Sequence, residues 1–147
     1  MEIKELTADY VAEARDLVIA MAEHDGVKPT SHPGEFLENT INSTILKSFV
    51  GFEGDKIVSV SMGISYIQML HLDFMVVHKD YRRKGLGEQM LDRWAEEAKG
   101  KILTLTTWNS DNAGLINYYM KRDFKVVGFV ENEYGDGDRE IHLTRQC

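Results

Sequence analysis

The sequence holds one cysteine, Cys147 at its last position, and only two prolines, Pro29 and Pro33. A lone cysteine excludes an internal disulfide framework, and a chain terminus is a poor place for a buried, activated thiol nucleophile. Both prolines fall in GVKPTSHPG (Gly26 to Gly34), which breaks the chain once, and no proline-rich linker divides the rest. Long apolar runs are missing as well. The longest, Leu17 to Ala22, is far short of the roughly 20 residues that cross a bilayer. The opening residues MEIKELTADY lack the basic-then-apolar order of a signal peptide, so a cytoplasmic protein with no membrane partner is expected. Positive charge is the minority sign, with 17 Lys and Arg against 24 Asp and Glu, a net charge of -7. That balance argues against general nucleic-acid binding, which needs a broad basic surface. It suits a cationic partner, although the same charge also serves solubility.

What is present fits a single globular domain over residues 1–147, since 43% hydrophobic and 28% charged residues lie outside the disordered range. Thr7 is placed to cap a helix running to about Asp25, with Tyr10, Ala14, Leu17, Val18 and Met21 at helical spacing. A second helix is predicted over Glu35 to Lys47. Ser48–Glu53 and Lys56–Ile67 read as strands joined at Gly54-Asp55, a hairpin signal. His71–Val77 is a strand whose FMVV run, apolar on both faces, suits a central position. A helix follows, with Leu86, Met90, Leu91, Trp94 and Ala98 on one side and Gly100 ending it. Lys101–Trp108 is a threonine-rich strand, and a helix over Asn112–Arg122 is capped by Ser110 or Asp111. A strand (Lys125–Tyr134), a turn (Gly135–Asp138) and a last strand (Arg139–Thr144) complete the chain. The unit 71–77, 86–99, 101–108 is a β-α-β crossover, so its strands run parallel, while the flanking hairpins are antiparallel. The expected fold class is therefore α/β (α+β), a mixed, largely antiparallel sheet around a parallel β-α-β core with helices on both faces.

Four of the basic residues of this acidic chain crowd into HKDYRRKGLG, His78 to Gly87. The stretch follows a buried strand and opens a helix, where α/β proteins bind anions on unpaired N–H groups and the positive end of the dipole. Gly85 and Gly87 let an anion approach the backbone, and Arg82, Arg83 and Lys84 add charge, so a phosphate or pyrophosphate site is expected. The alternative is a solvated basic turn shaped by its glycines. A P-loop sequence is absent, and the third glycine of a dinucleotide fingerprint is replaced by Met90.

Arg82-x-x-Gly85-x-Gly87, set in Val77-His78-Lys79-Asp80-Tyr81-Arg82, resembles the acyl-CoA pyrophosphate loop of the GNAT N-acetyltransferase superfamily, with Lys79 where a proline is usual. Downstream, Asn112, Leu115, Tyr119, Asp123 and Phe124 resemble the second stretch of that family, with Leu115 in place of an alanine and Asp123 in place of a glycine. Asp is among the residues that tolerate the left-handed conformation a glycine serves there. The element order also follows the family's fold along essentially the whole chain.

The resemblance implies acetyl transfer from acetyl-CoA to a primary amine, without a metal. It assigns backbone groups of Met75, Val76 and Val77 to the pantetheine arm, and backbone N–H groups of Arg83, Lys84, Gly85, Leu86 and Gly87 to the pyrophosphate, with the Arg82 side chain assisting. Tyr119 takes the place of the acid that protonates the departing thiolate; its neighbour Tyr118 points about a quarter-turn away on a helix, so only one is expected to face the thioester. Asp73 is the candidate base, sharing a strand face with His71, Met75 and Val77 by two-residue alternation, or else a solvated carboxylate. Glu131 and Glu133 are further candidates. Asn112 either hydrogen-bonds CoA or caps its helix. His71 and Asp73 have no third ligand at recognisable spacing for a metal. The acceptor is a small molecule or a protein amine, and Glu35, Glu38, Glu131 and Glu133 favour a cationic one. A homodimer is possible on the same resemblance. The competing function is a non-catalytic acyl-CoA-binding module on the same fold, and a further one is a nucleotide-binding protein unrelated to acetyl transfer.

Overall fold

A computed structural model describes residues 1–26, 36–108, 113–131 and 139–147. Glu35, the Asn109–Asn112 segment, Glu133 and the predicted Gly135–Asp138 turn lie outside the described residues. Seven strands form one sheet: β1 (Glu2–Glu5), β2 (Leu46–Glu53), β3 (Lys56–Ser65), β4 (Met69–Val77), β5 (Ile102–Trp108), β6 (Lys125–Glu131) and β7 (Arg139–Gln146). Their spatial order is β1-β2-β3-β4-β5-β7-β6. Among the described residues only the β4–β5 pair is parallel, as the crossover between them requires. Helices α1 (Val11–Asp25) and α2 (Leu37–Thr40) lie on one face; α3 (Leu86–Glu97) and α4 (Ala113–Met120) lie on the other.

Each face has its own core. On the first, the α1 residues Ala14, Leu17, Val18 and Met21 pack against Val50, Ile57, Val60 and Met62 of the sheet. On the second, Met90, Leu91 and Trp94 of α3 meet Leu70, Leu72, Leu103, Leu105 and Leu143. Trp94 is fully buried and its indole N–H donates to Ser61 Oγ at 2.8 Å. Gly63 makes room for it, because a Cβ there would stand 2.6 Å from the ring.

One expectation is corrected, and one strand is added. The second helix does not run from Glu35 to Lys47. It is a single turn ending at Thr40, followed by Asn42 at φ 62° and by Ser43, whose hydroxyl accepts from the backbone N–H groups of Ile45 and Leu46. A side chain that satisfies the backbone locally competes with helix, and β2 starts at Leu46 instead. At the other end, Glu2–Glu5 adds an edge strand paired to Phe49–Phe52 that the charged sequence EIKE does not announce. Helix α1 begins at Val11 after a short 3-10 turn (Ala8–Tyr10), and Gly26 in the left-handed region ends it.

Candidate active site

The site begins where the sheet splits. Strands β4 and β5 pair over four steps, from Met69↔Ile102 to Leu72↔Leu105, and no further. Past Leu72 the register between β3 and β4 also shifts: Gly63 pairs with Leu72 but Met62 pairs with Phe74, which leaves Asp73 as the extra residue of a β-bulge. The bulge changes which side chains share a face. Leu70, Leu72 and Met75 pack with the α3 core, whereas Phe74 and Val76 pack with the α1 core. The expectation that Asp73 shares a face with His71, Met75 and Val77 therefore holds for His71 alone.

Backbone polarity beyond the bulge follows from the ladder. His78 N–H donates to Val58 O at 2.8 Å, so that pair is hydrogen-bonded and the next, Ser59↔Val77, is not. Alternation then turns the N–H and C=O groups of Val77 and Met75 away from β3, toward the side that β5 has vacated. The Val77 carbonyl accepts from Arg82 Nε at 2.9 Å on that open side.

An open cleft of ≈ 1210 Å³ occupies the split. Asp73, Met75, Val76 and Val77 line it from β4; Arg82, Arg83, Gly85, Leu86 and Gly87 line it from the turn. Arg83 (φ 60°) and Gly85 (φ 80°) both adopt the left-handed conformation, which suits glycine and strains an arginine. A Cβ on Gly85 would meet nothing within 4 Å. This glycine is required for its backbone angle, not for internal packing. The first helical bond of α3 runs from Gln89 N–H to Gly85 O, so the N–H groups of Leu86, Gly87 and Glu88 precede any intrahelical acceptor.

The side chains of the basic turn are arranged differently from their sequence-based assignment. Arg82 points at α1, where Nη1 and Nη2 donate to the two Asp25 carboxylate oxygens at 2.8 and 2.7 Å. The hydrogen bonds from Arg82 lower the Asp25 carboxyl below its ordinary range. Lys84 donates to Asp80 O at 3.0 Å and sits over the Tyr81 ring. Arg82 thus ties the turn to the end of α1 and to β4, a role with no sequence signal, because Asp25 lies 57 residues away.

Helix α4 forms the opposite wall. Tyr119 is buried at 8% exposure, edge-on to Phe124, and burial pushes its phenol up to about 12. It keeps its proton throughout the physiological range. Tyr118 is half-buried, also raised by burial, and both tyrosines line the cleft. The tyrosine hydroxyl near the turn is that of Tyr118, 3.6 Å from the point a Cβ on Gly87 would occupy. Arg122, one turn after Tyr118, also lines the cleft and escaped sequence reasoning, although the i,i+4 spacing could have revealed the pair. Asp123 takes φ 66°, the left-handed conformation expected of it.

On the sheet's first face, α1 packs against β2, β3 and β4, and β5 and β7 present polar side chains beside it. Leu103, Leu105 and Leu143 point into the α3 core, so their neighbours Thr104, Thr106 and His142 point the other way. His71 Nδ1 lies 2.7 Å from Thr104 Oγ1. Desolvation lowers the His71 pKa and raises that of Asp73, the two opposing that effect in each other by their charges. Glu131 is instead paired with Arg139 at 3.2 Å, and Glu38 with Arg15, both at the surface. Among the described residues no group of three His, Cys, Asp or Glu could hold a metal, and no helix is long and apolar enough to cross a membrane.

Residues 12–124 match the Acetyltransferase (GNAT) family. The chain superimposes on a GNAT-family protein from Desulfovibrio desulfuricans with a TM-score of 0.85 at 15% identity, covering 99% of this chain and 98% of that one. An aminoglycoside 6'-N-acetyltransferase from Enterococcus faecium gives 0.80 at 16% identity, over 99% and 96%. The ribosomal-protein-S18-alanine N-acetyltransferase from Escherichia coli gives 0.81 at 20%, over 98% and 92%. These similarities establish the shared fold. Comparison with curated sequences finds no match.

Proposed function

The chain belongs to the GNAT acetyltransferase family, and on that premise we propose that it transfers the acetyl group of acetyl-CoA to a primary amine by direct attack. The observation that carries the reading is the split between β4 and β5 beyond Leu72 and Leu105, an open strand edge that leads straight to a glycine turn and a helix N-terminus. Backbone groups of Met75 and Val77 bind the pantetheine arm there, with Val76 holding the strand against the α1 core. The N–H groups from Arg83 to Gly87 receive the pyrophosphate. Arg82 acts by holding the turn to Val77 and Asp25. Asn112 is assigned to the cosubstrate or to the α4 cap by resemblance alone.

In the reaction the amine nitrogen forms a bond to the thioester carbonyl carbon and the C–S bond breaks. An N–H of the open β4 edge faces the developing oxyanion. Asp73, raised by desolvation and aimed into the cleft, takes the proton of the attacking nitrogen directly or through water. Tyr119, which stays protonated, gives its proton to the thiolate. The polar face with Asp73, His71 and Thr106 supports an amine acceptor, small molecule or protein, and the net charge of -7 supports a cationic one. A cytoplasmic setting supplies acetyl-CoA. One observation favours the binding-module reading, the near-complete burial of Tyr119. Release of CoA thiol, measured over polyamines, amino acids, aminoglycosides and lysine peptides, separates the two. Catalysis gives turnover on one amine class, lowered about a hundredfold or more by Tyr119→Phe. Tight acetyl-CoA binding with no turnover on any amine points to the binding module or to a different acyl donor.

A further inference from the structure

An acyl-CoA presents several phosphate charges, yet the arginine of the glycine turn is already paired with Asp25 in both of its terminal nitrogens. The cleft holds another guanidinium. Arg122 lies flat on Tyr118, its Cζ 3.6 Å from the ring centroid. Nη1 donates to the Tyr118 carbonyl at 3.0 Å, and Nη2 donates to Glu88 Oε2 at 3.0 Å. Its Nε is buried and has no hydrogen-bond partner among the described residues. Glu88 sits in the first turn of α3, next to Gly87, and its side chain is 52% exposed. Gly87, Glu88, Tyr118 and Arg122 all line the one cleft. A cation is thus stacked, oriented and only partly satisfied within reach of the helix N-terminus where an anion is favoured, and a water-exposed carboxylate holds it in place.

We propose that Arg122, seated on Tyr118, is a phosphate contact of the acyl-CoA cosubstrate, and that Glu88 is the anion it exchanges for that phosphate. The proposal rests on the acyl-CoA reading above. Three features favour the exchange. A phosphate carries more charge than a carboxylate and offers more acceptor oxygens to a guanidinium fork. The Glu88 end of the Glu88–Arg122 pair is half-exposed, so that water screens the pair and takes up the carboxylate when it is released. The Tyr118 face, in turn, fixes the guanidinium so that little side-chain entropy remains to be lost. The phosphate is either the pyrophosphate or the 3'-phosphate of CoA, which share this chemistry.

Calorimetric titration with CoA and with dephospho-CoA, on the full chain, tests it. Arg122→Gln is expected to weaken CoA binding about ten- to hundredfold, the usual loss for a charge-assisted contact. Glu88→Gln is expected to tighten it several-fold, an effect that damage to a structural bridge between α3 and α4 does not produce. Equal losses for CoA and dephospho-CoA in Arg122→Gln assign the pyrophosphate; a loss for CoA alone assigns the 3'-phosphate. Unchanged CoA affinity in Arg122→Gln, or no gain in Glu88→Gln, overturns the proposal while leaving the acyl-CoA reading intact. A wild-type protein that binds no CoA overturns both. Should Arg122→Gln fail to fold, the sign of the Glu88→Gln effect decides alone.

Discussion

Along β4 and β5, residues 69–72 and 102–105 run in register, with Leu70 and Leu103 sealed at 1% and 0% exposure. A few residues later the same strands part, β4 carries a bulge at Asp73, and both strands border the cleft. The lower half spends its backbone hydrogen bonds on the sheet and its side chains on the core. The upper half turns the backbone groups of Met75 and the N–H of Val77 to the open side, where the Val77 carbonyl already accepts from Arg82. The difference shows how the fold opens a cleft: past Leu72, β4 is an edge whose neighbour β5 has been withdrawn, while β3 stays paired on its other side. On the proposed reading, stability and function are segregated within one pair of strands.

Substitutions should respect that segregation. Leu103→Ala, at the closed end, is expected to cost about 2–5 kcal/mol in chemical denaturation, the usual price of a large-to-small change at a fully buried leucine. Acetyl-CoA KM of the folded protein should stay near wild type. Gly85→Val, at the open end, reverses the pattern. Forcing a branched side chain into the left-handed region costs about 1–2 kcal/mol of stability. CoA affinity, measured by titration, should meanwhile fall by more than about tenfold because the new side chain blocks approach to the backbone. If the two variants lose stability and binding in equal proportion, the halves are not separate. The smallest effect is expected from Asp25→Asn. The folded Asp25 carboxyl lies below its ordinary value, so its contribution is present above that ordinary value and is lost as pH falls through the lowered one. The variant should therefore show a shallower loss of stability in acid melts and a modest rise in acetyl-CoA KM, through a looser Arg82.

The closed end was legible in the sequence and the open end only partly. Alternating leucines and the helical spacing of Met90, Leu91 and Trp94 announce the core directly, because burial imposes its period on the chain. The turn before α3 was legible as a turn, because glycine favours the left-handed angle that Gly85 adopts at the helix start. The bulge at Asp73 was not, since a one-residue insertion in a strand leaves the composition unchanged while reversing which residues face the core. For the same reason Asp73 was grouped with Met75 and Val77. The second helix failed at Asn42 and Ser43, where local side-chain bonds outweigh apolar spacing. The resemblance puts Arg82 beside the pyrophosphate, and its pairing with Asp25 of α1 is a contact the sequence does not announce. Among the described residues, β1 went unread because only Ile3 of its four residues is apolar.

The claim that the parted half of β4 is the cosubstrate's binding edge can be tested by amide hydrogen exchange with and without CoA. The account predicts that the amides of Met75 and Val77 slow markedly on CoA binding, while those of Leu70 and Leu72, already within the closed sheet, exchange at the same rate in both states. CoA binding that leaves Met75 and Val77 unchanged would contradict it.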